Sequence, residues 1–270
     1  MRSLVPVTMS FALAVSGCSL TQRRDTEKAI AASLISDEQE FQLGLQVHEE
    51  LKGQNIKFLN NQKVELYVES LARKLIEQAN KERQLSWKWY VIDDPATINA
   101  FATPGGRIYV YTGLLLAADN EAEVIGVLGH EIGHVVGRHS ARQLVAAQGL
   151  QTVSDMALGK DAADVAKVAA GLVGKGATLA YGRDMELEAD HYGARYSSGA
   201  NYDPRGLATF FEKLKAKYGD TPAVLTFLST HPANSERITK VNEIIAAENL
   251  RGTELGVPTL KAIQAELGKK

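Results

Sequence analysis

Asn120-Glu121-Ala122-Glu123-Val124-Ile125-Gly126-Val127-Leu128-Gly129-His130-Glu131-Ile132-Gly133-His134 is the stretch on which the reading of this chain turns. Asn120 followed three residues later by Glu123 is a helix-starting pair, and Val124, Val127 and Leu128 keep helical spacing behind it. On such a helix His130 and His134 stand one turn apart on one face, so both imidazoles reach a single metal ion. Glu131, about 100° further round, reaches a water beside that metal without being spent as a ligand. Gly126, Gly129, Gly133 and Gly137 each weaken the helix by roughly 0.5–1 kcal/mol relative to alanine, a cost that close packing around a site explains. The competing reading is two histidines on an ordinary core helix.

His130-Glu131-Ile132-Gly133-His134 is the HExxH arrangement of zinc peptidases. A catalytic zinc takes three protein ligands and keeps one position open, so a third ligand is required. His139 does not have the spacing: it falls about 140° round the helix from His134 and reads as a helix-end or surface histidine. Arg183-Asp184-Met185-Glu186-Leu187-Glu188-Ala189-Asp190 is the better source, because Glu186 and Asp190 share a helical face while Glu188 points about 200° away. One of the two carboxylates can bind the metal while the other orients a ligand histidine through its free ring nitrogen. A solvated acidic helix face is the competing reading.

Around these motifs the pattern is mostly helical. Ser36 with Gln39 forms a capping box for a helix reaching about Leu51, and Val64, Tyr67, Val68, Leu71 and Leu75 mark the next helix. The period then changes to two in Trp87–Ile92, and a second strand, Arg107–Tyr111, follows the turn at Pro104-Gly105-Gly106. Helical patterns return at about 141–158, 162–173 and 184–198. Asp203-Pro204 predicts the start of a further helix, and the last begins at Ser235.

HEIGH, the Glu186–Asp190 segment, Asn99-Ala100-Phe101-Ala102, Pro104-Gly105-Gly106-Arg107-Ile108-Tyr109-Val110 and Gly113-Leu114 together resemble the HtpX and Ste-type gluzincin family of zinc metalloproteases. The resemblance spans about residues 36–248 and is strongest to soluble bacterial lipoprotein members. It implies an α+β, predominantly helical zincin domain with a small β-sheet beside the HExxH helix. It implies that His130, His134 and Glu186 hold one Zn2+, that Glu131 is the general base, and that Asp190 supports the ligands from behind. It further implies an extended peptide substrate lying along a strand edge at Asn99, Ala100 and Phe101, by strand addition. The competing reading of Phe101 is core packing. In such members a histidine from the segment Thr230-His231-Pro232 can occupy the metal's open position, which makes His231 a regulatory ligand; the competing reading is local packing or capping of the Ser235 helix.

Length and composition agree with one catalytic domain. The chain has 270 residues, with 32 acidic and 30 basic side chains for a net charge of −2, which offers nucleic acid no general attraction. A single cysteine excludes an internal disulfide and a Cys-type zinc site. That cysteine ends Met1–Cys18, where Arg2, an apolar run and Val15-Ser16-Gly17-Cys18 read as a signal peptide (1–17) with a lipobox, making Cys18 the lipidation site. Residues 18–35 then form a lipidated N-terminus and polar tether, 36–250 the zinc metallopeptidase domain and 251–270 a C-terminal tail. Ser19 after the cysteine implies outer-membrane sorting in a Gram-negative cell. The apolar stretch 165–180 is broken by Lys167 and Lys175, so the lipid is the one expected membrane contact. The glycine- and alanine-rich stretch 157–180 reads equally as a lid over the cleft or as simple helix packing.

The expected protein is a lipid-anchored endopeptidase facing the periplasm, acting on misfolded or misassembled envelope proteins; the quality-control role comes from the resemblance alone. A chaperone or assembly scaffold for outer-membrane proteins on the same fold is the alternative, against which the intact Glu131 argues.

Overall fold

The computed structural model describes residues 20–54, 56–144, 181–218, 231 and 235–269. In chain order these form α1 (Leu20–Leu34), α2 (Asp37–Gly53), α3 (Gln62–Ala79), β1 (Lys88–Ile92), β2 (Ala100–Thr103), β3 (Arg107–Tyr111), α4 (Thr112–Ala117) and α5 (Glu121–Val136). Then follow α6 (Arg183–Gly199), α7 (Gly206–Tyr218), α8 (Ser235–Ala247) and α9 (Val257–Leu267). The class is α+β, predominantly helical with one small sheet. No described helix is long and apolar enough to cross a membrane.

The sheet has strand order β1-β3-β2, with β1 parallel and β2 antiparallel to β3. Alternation along the strands gives it two covered faces. Val91, Ile108 and Val110 enter the main core with α3 and α5, while Ile92, Phe101, Tyr109 and Tyr111 form a second cluster with Val47 and Leu51 of α2. β2 is an edge strand, and it packs against α5. Its register leaves the backbone groups of Ala100 and Ala102 facing away from β3, because Tyr111 N donates to Asn99 O in the alternating ladder.

Every residue of α5 is buried, the polar Glu121, Glu123, His130, Glu131 and His134 included. Asn120 caps it by accepting from Glu123 N at 3.0 Å, while the Glu123 carboxylate reaches back to Asp119 N and pairs with Lys213. The glycines of α5 mark where other helices come closest. A Cβ on Gly129 would stand 3.1 Å from Gly193 Cα, one on Gly133 2.9 Å from Ala189 O, and one on Gly126 2.4 Å from Leu207 N. This close crossing of α5 and α6 brings side chains as short as Glu186 and Asp190 to the histidines.

Several sequence expectations change. The predicted polar tether is largely α1, whose Ala31 packs with Ile35 and Ala141 and whose Lys28 donates to Tyr192 Oη at 3.2 Å. The predicted C-terminal tail contains α9, which buries Leu260, Ile263 and Leu267 and begins with Gly256 in left-handed geometry ahead of Pro258. At α7 the expectation holds to within two residues: the helix is regular from Gly206, and the Asp203 carboxylate accepts from Arg205 N at 2.9 Å just ahead of it. The predicted signal peptide, Cys18, the bulk of the helical stretches 141–158 and 162–173, and the stretch 157–180 lie outside the described residues.

Candidate metal centre

His130 and His134 project from α5, Glu186 from the first turn of α6, and His231 from the segment ahead of α8. All four are buried, and one nitrogen or oxygen from each falls within 4.8 Å of the others. Their separations are short and nearly even. His130 Nε2 lies 2.9 Å from His134 Nε2, 3.5 Å from Glu186 Oε2 and 3.1 Å from His231 Nδ1. His134 Nε2 lies 3.4 Å, and His231 Nδ1 3.3 Å, from Glu186 Oε1.

These values suit a zinc ion. Four ligands at about 2.0–2.1 Å in a tetrahedron stand about 3.3–3.4 Å apart, and imidazole with carboxylate is an ordinary zinc donor set. Neither Glu186 oxygen accepts a well-aligned hydrogen bond, nor does Oε1 of Glu131, although all three are buried. Such groups are costly unless something else satisfies them. The local field also calls for a cation: burial works against charge on His130, yet Asp190 and Glu186 outweigh it and hold the ring's pKa above its usual value. His134 moves the other way, held well below its usual value by burial and by His130 beside it, which keeps its imidazole neutral as a ligand must be.

The cluster is fixed from behind. Asp190 Oδ1 is 2.8 Å from His130 Nδ1, so the ring turns Nε2 to the cluster. Asp190 is in turn gripped by Arg237, with Nε and Nη2 at 2.8 and 2.6 Å, and Nη1 of the same guanidinium is 2.8 Å from Glu186 Oε2. Burial opposes ionisation of Asp190, but Arg237 and His130 hold its carboxyl below the usual range. Arg237 also lies over the Phe211 ring at 4.8 Å. Nothing in the sequence singled out Arg237, because a lone arginine on a late helix carries no spacing signal. Tyr181, which also escaped sequence reading, stacks on His134 at 4.0 Å and meets Ser140 Oγ at 2.8 Å through its hydroxyl.

Glu131 sits at the edge of the cluster. Its carboxylate accepts from the Ala102 amide of β2, and His231 Nε2 lies 3.3 Å from its Oε1. Burial pushes its carboxyl up to about 7, against the pull of His231, which is the range a general base at neutral pH requires. Of the strand candidates, Asn99, Ala100 and Phe101 are all buried. Phe101 stacks on Tyr109 at 4.5 Å and Asn99 Oδ1 accepts from Ala100 N, so their side chains serve the fold and the backbone alone of this edge is turned towards α5.

His139 departs from expectation. It is fully buried, its Nδ1 is 2.7 Å from His134 Nδ1, and its Nε2 faces Glu188 Oε2 at 3.3 Å. The helical extrapolation fails because α5 stops at Val136: Gly137 caps it and Arg138 adopts φ 55°, folding the chain back under the helix. Glu188, the carboxylate pointing away from the metal face, is thereby enclosed between His139 and Arg142.

Comparison with known proteins gives the same picture. The sequence pattern of Peptidase family M48 matches residues 60–245. The mitochondrial metalloendopeptidase OMA1 of Schizosaccharomyces pombe is 34% identical over 179 residues, covering 66% of this chain and 52% of that protein. The beta-barrel assembly-enhancing protease of Escherichia coli is 31% identical over 219 residues, covering 77% of this chain and 44% of that protein. The chain thus spans about half the length of these relatives. The match runs from α3 through most of α8 and includes His130, Glu131, His134 and Glu186, so the chain belongs to Peptidase family M48, whose metalloproteases use zinc.

Proposed function

We propose that this chain is a zinc-dependent endopeptidase, anchored by lipid at Cys18 on the periplasmic side of a bacterial outer membrane, that cleaves misfolded or misassembled envelope proteins. The observation that carries the catalytic part is the buried quartet of donors with Glu131 directly beside it. Zinc held by His130, His134 and Glu186 supplies Lewis-acid polarisation at the scissile carbonyl. The Ala102 amide steadies the Glu131 carboxylate, and Oε1 takes a proton from the attacking water and returns it to the leaving amine nitrogen. Arg237 keeps Asp190 ionised and pairs with Glu186, and Asp190 keeps His130 turned to the cluster.

The substrate reading rests on the edge strand and on the relatives. With the amides of this edge taken, Ala100 N by Asn99 and Ala102 N by Glu131, the carbonyls of Ala100 and Ala102 on the side of β2 away from β3 are what favours recognition of extended chain over particular side chains, which suits unfolded polypeptide. The name of the Escherichia coli relative, a beta-barrel assembly-enhancing protease, supports an envelope setting, and the sequence Val15-Ser16-Gly17-Cys18 supports the lipid anchor. His231 is proposed as a regulatory ligand that closes the site in the resting protein. The test of the catalytic reading is zinc content together with casein cleavage by the purified protein, with Glu186→Ala expected to lose both.

A further inference from the structure

The His134 ring is backed by a chain of side chains for which the proposed chemistry has no use. Arg142 Nη1 donates to Glu188 Oε2 at 2.7 Å and Nη2 donates to Glu27 Oε2 of α1 at 2.8 Å. Glu188 is thereby held as a carboxylate and only accepts. His139 Nε2 faces that carboxylate at 3.3 Å without a well-aligned hydrogen bond; a proton on Nε2 is the one the negative charge favours, and it leaves Nδ1 bare to accept from His134 Nδ1–H at 2.7 Å. With that proton fixed, His134 presents an unprotonated Nε2 to His130 and Glu186.

We propose that His139 is a positioning residue that sets the tautomer and orientation of the ligand His134, with Glu188 and Arg142 holding it from behind. The two ligand histidines are then backed alike by a carboxylate and an arginine, His130 directly by Asp190 and Arg237, His134 through an interposed imidazole. The backbone is shaped for that ring. A Cβ on Gly137 would stand 2.3 Å from His139 Nε2, so a larger residue there would displace the ring. The left-handed turn at Arg138 is tied down by its guanidinium, which donates to Ile35 O at 2.9 Å and pairs with Glu40 at 2.6 Å.

The proposal rests on His134 being a zinc ligand, and that reading fails on its own if the wild-type protein binds no zinc. Given zinc binding, the test is the rate of zinc release to a chelator from the full chain and the visible spectrum of its cobalt-substituted form. His139→Asn places a carbonyl oxygen near the position of Nδ1 and still accepts from His134. His139→Gln reaches the position of Nε2, keeps Glu188 company and leaves His134 unpaired. The expected result is release from the Asn variant within about threefold of wild type with an unchanged cobalt spectrum. The Gln and Ala variants are expected to release zinc roughly 10–100-fold faster with a shifted spectrum, the usual scale for losing a ligand's supporting partner. Asn and Gln variants that behave alike, both as wild type or both losing zinc together with thermal stability, would overturn the proposal and leave His139 a packing residue.

Discussion

His231 Nε2 stands 3.3 Å from Glu131 Oε1, while Nδ1 of the same ring stands 3.1 Å from His130 Nε2. One imidazole thus lies between the proposed base and a proposed metal ligand, where an attacking water would have to sit. His231→Ala is expected to retain zinc and to raise basal casein cleavage, with zinc content measured on the same sample. Cleavage that falls or stays level while zinc remains bound would remove His231 as a restraint.

The α5 crossings set a second expectation. Alanine at Gly126 gains about 1 kcal/mol in helix propensity, but its Cβ would meet Leu207 N at 2.4 Å, and overpacking of this kind costs about 1–3 kcal/mol. Gly126→Ala is therefore expected to lower the melting temperature and spare zinc affinity, because the clash lies against α7 and away from the donors. Gly133→Ala, whose Cβ would meet Ala189 O and Tyr192 Cβ at 2.9 Å, pushes α6 away from α5 and is expected to weaken zinc binding too. Equal zinc affinity in the two variants would show that the α5–α6 spacing does not set the site.

Much of this was legible in the chain because it follows local rules. His130 and His134 are marked by spacing on one helix and Glu186 with Asp190 on another, the choice of Glu186 as the metal-facing carboxylate being what the resemblance implies, and Ser36 with Gln39 forms the capping box that its pattern predicts. What was hidden depends on tertiary contact. The place of His139 requires the left-handed turn at Arg138, which is held by residues about a hundred positions earlier in the chain. α1 lacks a strong apolar face, and its charged Lys28 and Glu27 become informative only when they meet Tyr192 and Arg142. Arg237 likewise matters through Asp190 and Glu186, forty-seven or more positions away in sequence.

Acid should loosen the protein through Glu188. Burial opposes its charge, but His139 and Arg142 hold its carboxyl down to about 2 in the folded state, against an ordinary value near 4.5. A depressed folded pKa contributes stability that is fully present above about 4.5 and lost as pH falls towards 2. Urea unfolding between pH 6 and 2.5 is expected to show that loss, and Glu188→Gln is expected to flatten it. Parallel curves for both proteins would remove Glu188 from the acid response.

Membrane attachment is checked separately. Cys18→Ala is expected to move the protein from the membrane pellet to a soluble or unprocessed fraction, since the lipid is the one proposed anchor. A variant that still sediments with membranes after a high-salt wash would contradict the lipid reading and leave the catalytic one untouched.

The proposed role of Glu131 is that of the base beside a zinc ion held by other residues. Its most direct measurement pairs zinc stoichiometry with casein cleavage in Glu131→Gln. The expected result is one zinc per chain, an unchanged fold by circular dichroism, and cleavage reduced by at least about 10²-fold, the usual scale for removing a general base. Cleavage at the wild-type rate, with zinc bound and the fold intact, would contradict the account.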